Sequence, residues 1–303
     1  MESSDRRTAL KQLAALTVLP YIPHWLMKDY TLHTRPIPST QEPLPVIGLG
    51  TWQTFDVGEA EDVRKPLKEV LQTLYDKGGS VIDSSPMYGK SEKVVGELST
   101  SLKLNHQYFM ATKVWTSGKE QGIRQMNESF SLLQRQHMDL MQIHNLVDWQ
   151  THLKTLQEWK ESGKVKYIGI THYTESAYSS LEQILNKHTL DFLQINYSLT
   201  RRKAEERLFP LCQEKNVAIL INQPFESGSL FNRVRNKELP PWAKSELECQ
   251  SWGQVFLKFI LSHPAVTCVI PGTSRPHHML DNLGAGYGRL PDENLRKEMI
   301  RLI

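Results

Sequence analysis

Residues 82–92 read IDSSPMYGKSE, the end of a short apolar run followed by a polar turn. Asp83 closes the run, and Tyr88 follows five residues later between Met87 and Gly89. A carboxylate and a phenol at the exit of a buried strand need a setting. How many strands of this kind the chain contains decides the fold.

The run at 80–83 is one of eight of strand length; the others span 46–50, 109–113, 140–144, 165–170, 192–196, 217–221 and 266–270. Between them lie helix-length amphipathic segments near 60–77, 91–99, 120–135, 150–162, 176–187, 203–215, 244–262 and 276–285. Leu153 and Leu156, three apart, share one side of such a helix. Gly78-Gly79 and Gly163 stand where left-handed C-terminal caps are expected. The strands are nearly continuous in apolar character, as in a parallel sheet covered on both faces. Eight strand–helix units in about 250 residues predict an α/β fold, a single closed eight-stranded (β/α)8 TIM barrel. The competing arrangement, a doubly wound open sheet, is disfavoured because no G-x-G-x-x-G opens a helix after a first strand. Gly48 and Gly50 instead mark a tight strand end or a close backbone approach.

Composition narrows the function classes. The 303 residues are 39% hydrophobic, enough for a large core, and 23% charged, ordinary for a globular protein. A formal net charge of +3 is small for this length, so nucleic acid is not an expected partner. The eleven histidines form no HExxH pattern, and no metal site is expected. Cys212, Cys249 and Cys268 are too dispersed for a zinc knuckle or a thiol redox pair. Nothing in the patterning selects an oligomeric state.

The N-terminus carries a separate signal. Arg6-Arg7 precede the mildly apolar LAALTVLPYIP, which resembles a bacterial twin-arginine export signal and implies that export machinery as a partner and a periplasmic destination. There is no clear Ala-x-Ala cleavage site, and a cytoplasmic location is the alternative. The apolar part falls short of the roughly 20 residues a bilayer span needs, so no stable membrane insertion is expected. Residues 31–45, rich in Pro, Thr and Ser, read as a linker or surface tail. The expected division is 1–42 as signal-like segment and linker, and 43–303 as one barrel with a C-terminal helix.

In a barrel, polar residues that end strands gather at one rim, where sites form. Asp83 with nearby Tyr88, Lys113 and His144 come from three consecutive strand exits. A tyrosine with an ordinary pKa of about 10 exchanges protons poorly at neutral pH, and an adjacent ammonium favours its phenolate. Asp83 can hold Lys113 charged and in place, while His144 orients the reacting oxygen. Such a group suits protonation of an oxygen on which negative charge is developing. It lacks a nucleophile paired with a base and has no metal shell, so hydride arrival from a nicotinamide is the simplest source of that charge.

With these residues in place, the chain resembles the aldo-keto reductases from about Pro45 to Ala285. The resemblance runs through GLGTW (48–52), IDSSPMYGKSE (82–92), ATKVW (111–115), MQIHN (141–145), GKVKYIGITHY (163–173), LQINYS (193–198) and VIPGTSRP (269–276). It implies an eight-stranded α/β barrel that binds NADPH in extended form and reduces an aldehyde or ketone to an alcohol. The family's catalytic aspartate, tyrosine, lysine and histidine fall on Asp83, Tyr88, Lys113 and His144, with Tyr88 as proton donor. A second implication, since some relatives are regulatory subunits, is a nucleotide-sensing or partner-binding barrel with little turnover.

The resemblance also implies cofactor contacts. Gly50, Thr51, Trp52, Asp83 and Asn145 are expected to touch the cofactor, and Thr171, His172 and Gln194 to meet the nicotinamide carboxamide. The pyrophosphate passes Phe225, Ser227, Gly228 and Leu230. The adenosine end takes Gly272, Thr273, Ser274, Arg275 and Asn282. Arg275 suits a 2′-phosphate, because guanidinium offers a planar charged donor set, so NADPH/NADP+ is expected over NADH. The chain departs from the family pattern at His172, His278, Asp281 and Asn222. Asn222 stands where an aromatic ring would stack on nicotinamide, and an amide offers no ring face. Either another side chain stacks instead, with Trp52 and Phe225 as candidates, or the cofactor is held less tightly than is usual in the family. Trp52, Met87, Trp115 and Trp149 are candidates for an apolar mouth suited to medium-sized apolar or aromatic aldehydes. The stretch 231–242, FNRVRNKELPPW, is the candidate lid or binding loop.

Overall fold

The computed structural model describes residues 31–303. The signal-like arginine pair and the apolar stretch after it lie outside the described residues.

Strands and helices alternate along the chain as the apolar pattern requires. After a hairpin of β1 (Thr34–Pro36) and β2 (Pro43–Pro45) come β3 (Leu49–Gly50), α1 (Glu61–Asp76), β4 (Val81–Asp83), α2 (Ser91–Ser101), β5 (Phe109–Val114), α3 (Lys119–Leu132), β6 (Met138–His144) and α4 (Trp149–Glu161). The second half continues with β7 (Val165–Thr171), α5 (Tyr178–Lys187), β8 (Phe192–Asn196), α6 (Leu208–Glu214) and β9 (Ala218–Asn222). It ends with α7 (Ser229–Arg233), α8 (Pro241–Ser245), α9 (Trp252–Leu261), β10 (Val266–Val269), α10 (Pro276–Gly284) and α11 (Glu293–Arg301). Strands β3 to β10 form one parallel sheet in sequential order. Its edges meet through parallel bridges between Ile47 and Val269 and between Gly50 and Gly272. This nearly closed barrel surrounded by helices is the expected (β/α)8 architecture.

Closure explains the glycine in the first strand. A Cβ on Gly50 would stand 2.8 Å from the Ile270 carbonyl oxygen, so the two edges could not approach with any larger residue there. Gly78 follows α1 with φ +84°, the left-handed conformation expected of a C-terminal cap.

Two expectations are corrected. Residues 34–45 are not a linker: β1 and β2 pair antiparallel and carry Ile37 and Leu44, both buried, into the cluster of Phe109, Tyr167 and Phe192 inside the barrel. Tyr167 Oη donates to Glu42 (2.6 Å) and lies 2.7 Å from Thr40 Oγ1, tying the hairpin to the barrel floor. The expected boundary between 42 and 43 therefore falls inside a packed hairpin, whose apolar side chains override its linker-like composition. The helix expected at 244–262 is two helices. Glu248 adopts φ 55°, and Ser251 accepts from Gln254 N (3.1 Å), starting α9 afresh.

The barrel has two apolar layers. Outward residues of the strands pack on the helices, and inward ones, including Val81, Phe109, Leu140, Phe192 and Leu220, fill its lower half. All three cysteines are free and buried. Among the described residues no helix is long and apolar enough to cross a membrane, and no cluster of side chains could hold a metal ion.

Candidate active site

Side chains alternate along a strand, so residues two apart share a face. Following the inward face upward, apolar gives way to polar on five strands. Val81 leads to Asp83, Phe109 and Ala111 to Lys113, and Leu140 to Gln142 and His144; Phe192 leads to Gln194, and Leu220 to Asn222. The floor is thus filled by hydrocarbon, and the C-terminal rim presents ionisable and amide groups over it.

Asp83 is the hub. Lys113 Nζ lies 2.6 Å from its Oδ2 and donates also to the Ser84 carbonyl (2.7 Å). Its Oδ1 accepts from Gln142 Nε2 (3.0 Å) and Gln194 Nε2 (2.8 Å). Every strong acceptor and donor in this buried group is paired, which is what allows charge there. Tyr88 reaches the same place from a single helical turn, residues 86–88, started by Ser85 accepting from Met87 N. Lys113 Nζ lies 4.7 Å from the Tyr88 ring centre, and the Tyr88 and His144 rings meet edge to face at 5.7 Å. Ser85 Oγ lies 2.9 Å from His144 Nδ1. The four expected catalytic residues are brought together.

Burial sets the protonation states. It pulls Lys113 down, but the charge of Asp83 and the hydrogen bonds to Asp83 and Tyr88 outweigh it and leave the ammonium above lysine's ordinary value. Burial drives the imidazole of His144 down to about 2, reinforced by Lys113 and His172. Lys113 does pull the Tyr88 pKa down, as expected, but it does not set the net shift. Burial raises it, Lys113 lowers it and Asp83 raises it again, for a net upward shift.

A cavity of about 1160 Å³ opens over this group and runs towards the N-terminus of α10. Of the residues expected at the cofactor, Gly50, Thr51, Trp52, Asp83, Asn145, Thr171, Gln194, Asn222, Phe225, Ser227, Gly228, Gly272, Thr273 and Asn282 line it. Four do not. His172 turns its ring onto Tyr173, at 5.5 Å and 11° between planes, and receives Thr174 N at Nδ1. Leu230 is buried in the core. Ser274 and Arg275 stand exposed just beyond the cavity wall at the start of α10. At the mouth, Trp52, Met87 and Trp115 are exposed and line the cavity, while Trp149 instead packs against His188 (5.4 Å).

Sequence reasoning missed Gln142, which lies two residues before His144 on the same inward face; alternation would have found it. It also missed Tyr173, Gln250 and Trp252. The candidate lid does contribute, through Phe231, Lys237 and Leu239, with Trp252 Nε1 donating to the Lys237 carbonyl (2.9 Å). Phe225 is held in the wall by Phe231, ring centres 5.1 Å apart.

The donor set fits a nicotinamide nucleotide. Two residues of the cavity wall, Asn145 and Asn222, each carry a buried amide oxygen with no hydrogen-bond partner among the described residues, as an acceptor for a ligand would be. At the far end, the Arg275 guanidinium makes no hydrogen bond or ion pair among the described residues and is exposed for an anion.

Comparison with known proteins agrees with this geometry. Residues 46–297 match the profile of the Aldo/keto reductase family. The chain is 27% identical over 248 residues to methylglyoxal reductase YeaE of Escherichia coli (strain K12), covering 79% of this chain and 84% of that protein. It is 26% identical to the NADH-specific methylglyoxal reductase of the same organism, covering 69% and 72%. In fold it matches a crystal structure of an aldo-keto reductase from Klebsiella pneumoniae in complex with NADPH. The TM-score there is 0.75 at 22% identity, over 89% of this chain and 94% of that one.

Proposed function

The chain belongs to the aldo/keto reductase family, and on that premise we propose that it reduces the carbonyl of an aldehyde or ketone to an alcohol with NADPH. The observation that carries this reading is the convergence of Tyr88, Asp83 and His144 on the wall of one large cavity, with Lys113 buried against Asp83.

When bound, the nicotinamide supplies a hydride to the carbonyl carbon. The rest falls to the chain's own side chains. As the C=O bond becomes C–O, the electron pair moves to oxygen and the Tyr88 hydroxyl gives that oxygen its proton. Lys113, fixed by Asp83 and the Ser84 carbonyl, stands by the ring to stabilise the phenolate left behind. Because Ser85 Oγ accepts from Met87 N, its own proton is free for His144 Nδ1. That arrangement favours a ring proton on Nε2, from which the neutral imidazole donates to the substrate oxygen without competing as an acid. Water then returns a proton to Tyr88.

The mouth favours a substrate with an apolar or aromatic body of medium size. Trp52, Met87 and Trp115 offer ring and thioether surface beside the carbonyl site, with few donors for the hydroxyls of a sugar. Arg275, exposed at the adenosine end and without an ion-pair partner among the described residues, favours the 2′-phosphate of NADPH over NADH.

The test is fluorescence titration with NADPH and NADH, followed by cofactor-oxidation assays over a panel of aryl, alkyl and sugar aldehydes. Tighter NADPH binding that is lost in Arg275→Ala, and turnover of aryl or alkyl aldehydes above sugars, are expected. Absence of binding to either nucleotide would overturn the reading.

A further inference from the structure

Asn222 ends β9 one inward layer above Gln194, at the level of Asn196 on the neighbouring strand. Its Nδ2 donates to the His172 carbonyl (3.2 Å) and to Gln194 Oε1 (3.4 Å). Its Oδ1 is buried, has no hydrogen-bond partner among the described residues and belongs to a residue on the cavity wall. The amide cannot be turned over to relieve this, because Oδ1 would then meet two acceptors in place of Nδ2.

The orientation is imposed from further down. Asp83 is an acceptor opposite Lys113, so Gln194 must present its Nε2 to Asp83 Oδ1, at 2.8 Å. That places Gln194 Oε1 towards Asn222 and forces Asn222 to donate there. The polarity of the ion pair is therefore passed along two amides and ends in one buried acceptor on a residue of the cavity wall. A desolvated acceptor left unpaired is costly, so the ligand that fills this cavity should bring an N–H to it.

We infer that Asn222 Oδ1 accepts a hydrogen bond from the primary-amide N–H of the nicotinamide, so that this chain holds the carboxamide with an acceptor wired to the catalytic carboxylate. This rests on the reading of NADPH as cofactor given above. It also gives the non-aromatic residue at this position a positive role: Asn222 contributes in-plane recognition of the amide where a ring would contribute stacking.

The experiment uses the full-length chain and two reduced cofactors, NADPH and its 3-acetylpyridine analogue, in which a methyl group replaces the amide NH2 and the carbonyl is kept. Dissociation constants are read from quenching of protein fluorescence, without turnover. The wild type should bind NADPH roughly tenfold more tightly than the analogue, the scale of one hydrogen bond to a buried acceptor. In Asn222→Ala this preference should fall to within about twofold, mostly through weaker NADPH binding. Equal binding of both cofactors by the wild type overturns the inference, and this arm needs no variant to fold. So does a preference that survives in Asn222→Ala. Failure of the wild type to bind NADPH at all strikes the cofactor reading beneath it instead.

Discussion

Lys113 Nζ and Asp83 Oδ2 stand 2.6 Å apart with their side chains 0% and 2% exposed, an ion pair sealed inside the barrel from which Tyr88 and two glutamines are organised. Such a pair is tolerated because each remaining donor and acceptor is satisfied, and breaking it leaves a buried charge with no counterpart. Asp83→Asn should therefore lower unfolding stability by about 3–5 kcal/mol, read as a shift of the urea midpoint. The double variant Asp83→Leu with Lys113→Met removes both charges and should recover much of that loss while remaining inactive. A double variant as unstable as Asp83→Asn would mean that packing, and not the orphaned ammonium, set the cost.

Tyr88 is the only member of the group offered as a proton donor, and its pKa lies above the ordinary phenol value, so it stays protonated through neutral pH. Tyr88→Phe keeps the ring against His144 and removes the hydroxyl alone. Carbonyl turnover should fall by about 10²–10⁴-fold, while NADPH affinity changes by less than about twofold. Unchanged turnover would remove Tyr88 from the chemistry.

His144 gives a prediction with a definite sign. Its folded pKa, near 2, lies below the ordinary 6.5, so between those values the unfolded chain binds a proton the folded one does not. Its contribution to stability is fully present above about pH 6.5 and is lost as pH falls towards 2. Replacing it with glutamine should flatten the acid side of the stability profile in urea titrations at pH 4 to 7. In the wild type, turnover should show no inflection near pH 6.5, since the imidazole is already neutral there. An inflection that disappears in His144→Gln would contradict the buried, uncharged ring.

The eight strands and the tetrad were legible because both are written in strand periodicity. Each strand is a run of apolar residues, and each catalytic side chain ends one or follows its exit. What escaped was written in three-dimensional packing. Ile37 and Leu44 sit in a stretch of Pro and Thr whose composition says linker, yet two apolar side chains are enough to plug the barrel floor. The His172 ring left the cofactor side because Tyr173 offered it a parallel face, a choice invisible in the order Thr-His-Tyr. The Tyr88 pKa rises because burial outweighs the neighbouring ammonium, and burial does not show in the residue order. In the sequence Asn222 is only an absent ring, and the direction of its amide is what reveals an acceptor.

Glu92, outside the reacting group, supplies a test of the same electrostatics with the opposite sign. It enters α2 almost wholly buried, accepting from Thr112 Oγ1 and from Ser129 Oγ (3.2 Å). Burial raises its pKa to about 7; the two hydroxyls and Lys113 pull down without matching it, and Glu128 adds a small push upward. The folded pKa exceeds the ordinary 4.5, so between these values the folded chain holds a proton that the unfolded chain has lost. Stability from this site is greatest below about pH 4.5, declines as pH rises and is fully lost above pH 7. At about 1.4 kcal/mol per pKa unit, the cost of ionised Glu92 at pH 8 is on the order of 3 kcal/mol. Glu92→Gln keeps the shape and can still accept from one hydroxyl while donating to the other. It should raise the melting temperature at pH 8 by about 5–10 °C and change it little at pH 4.5. An equal shift at both pH values would assign the gain to packing and dismiss the buried charge as its source.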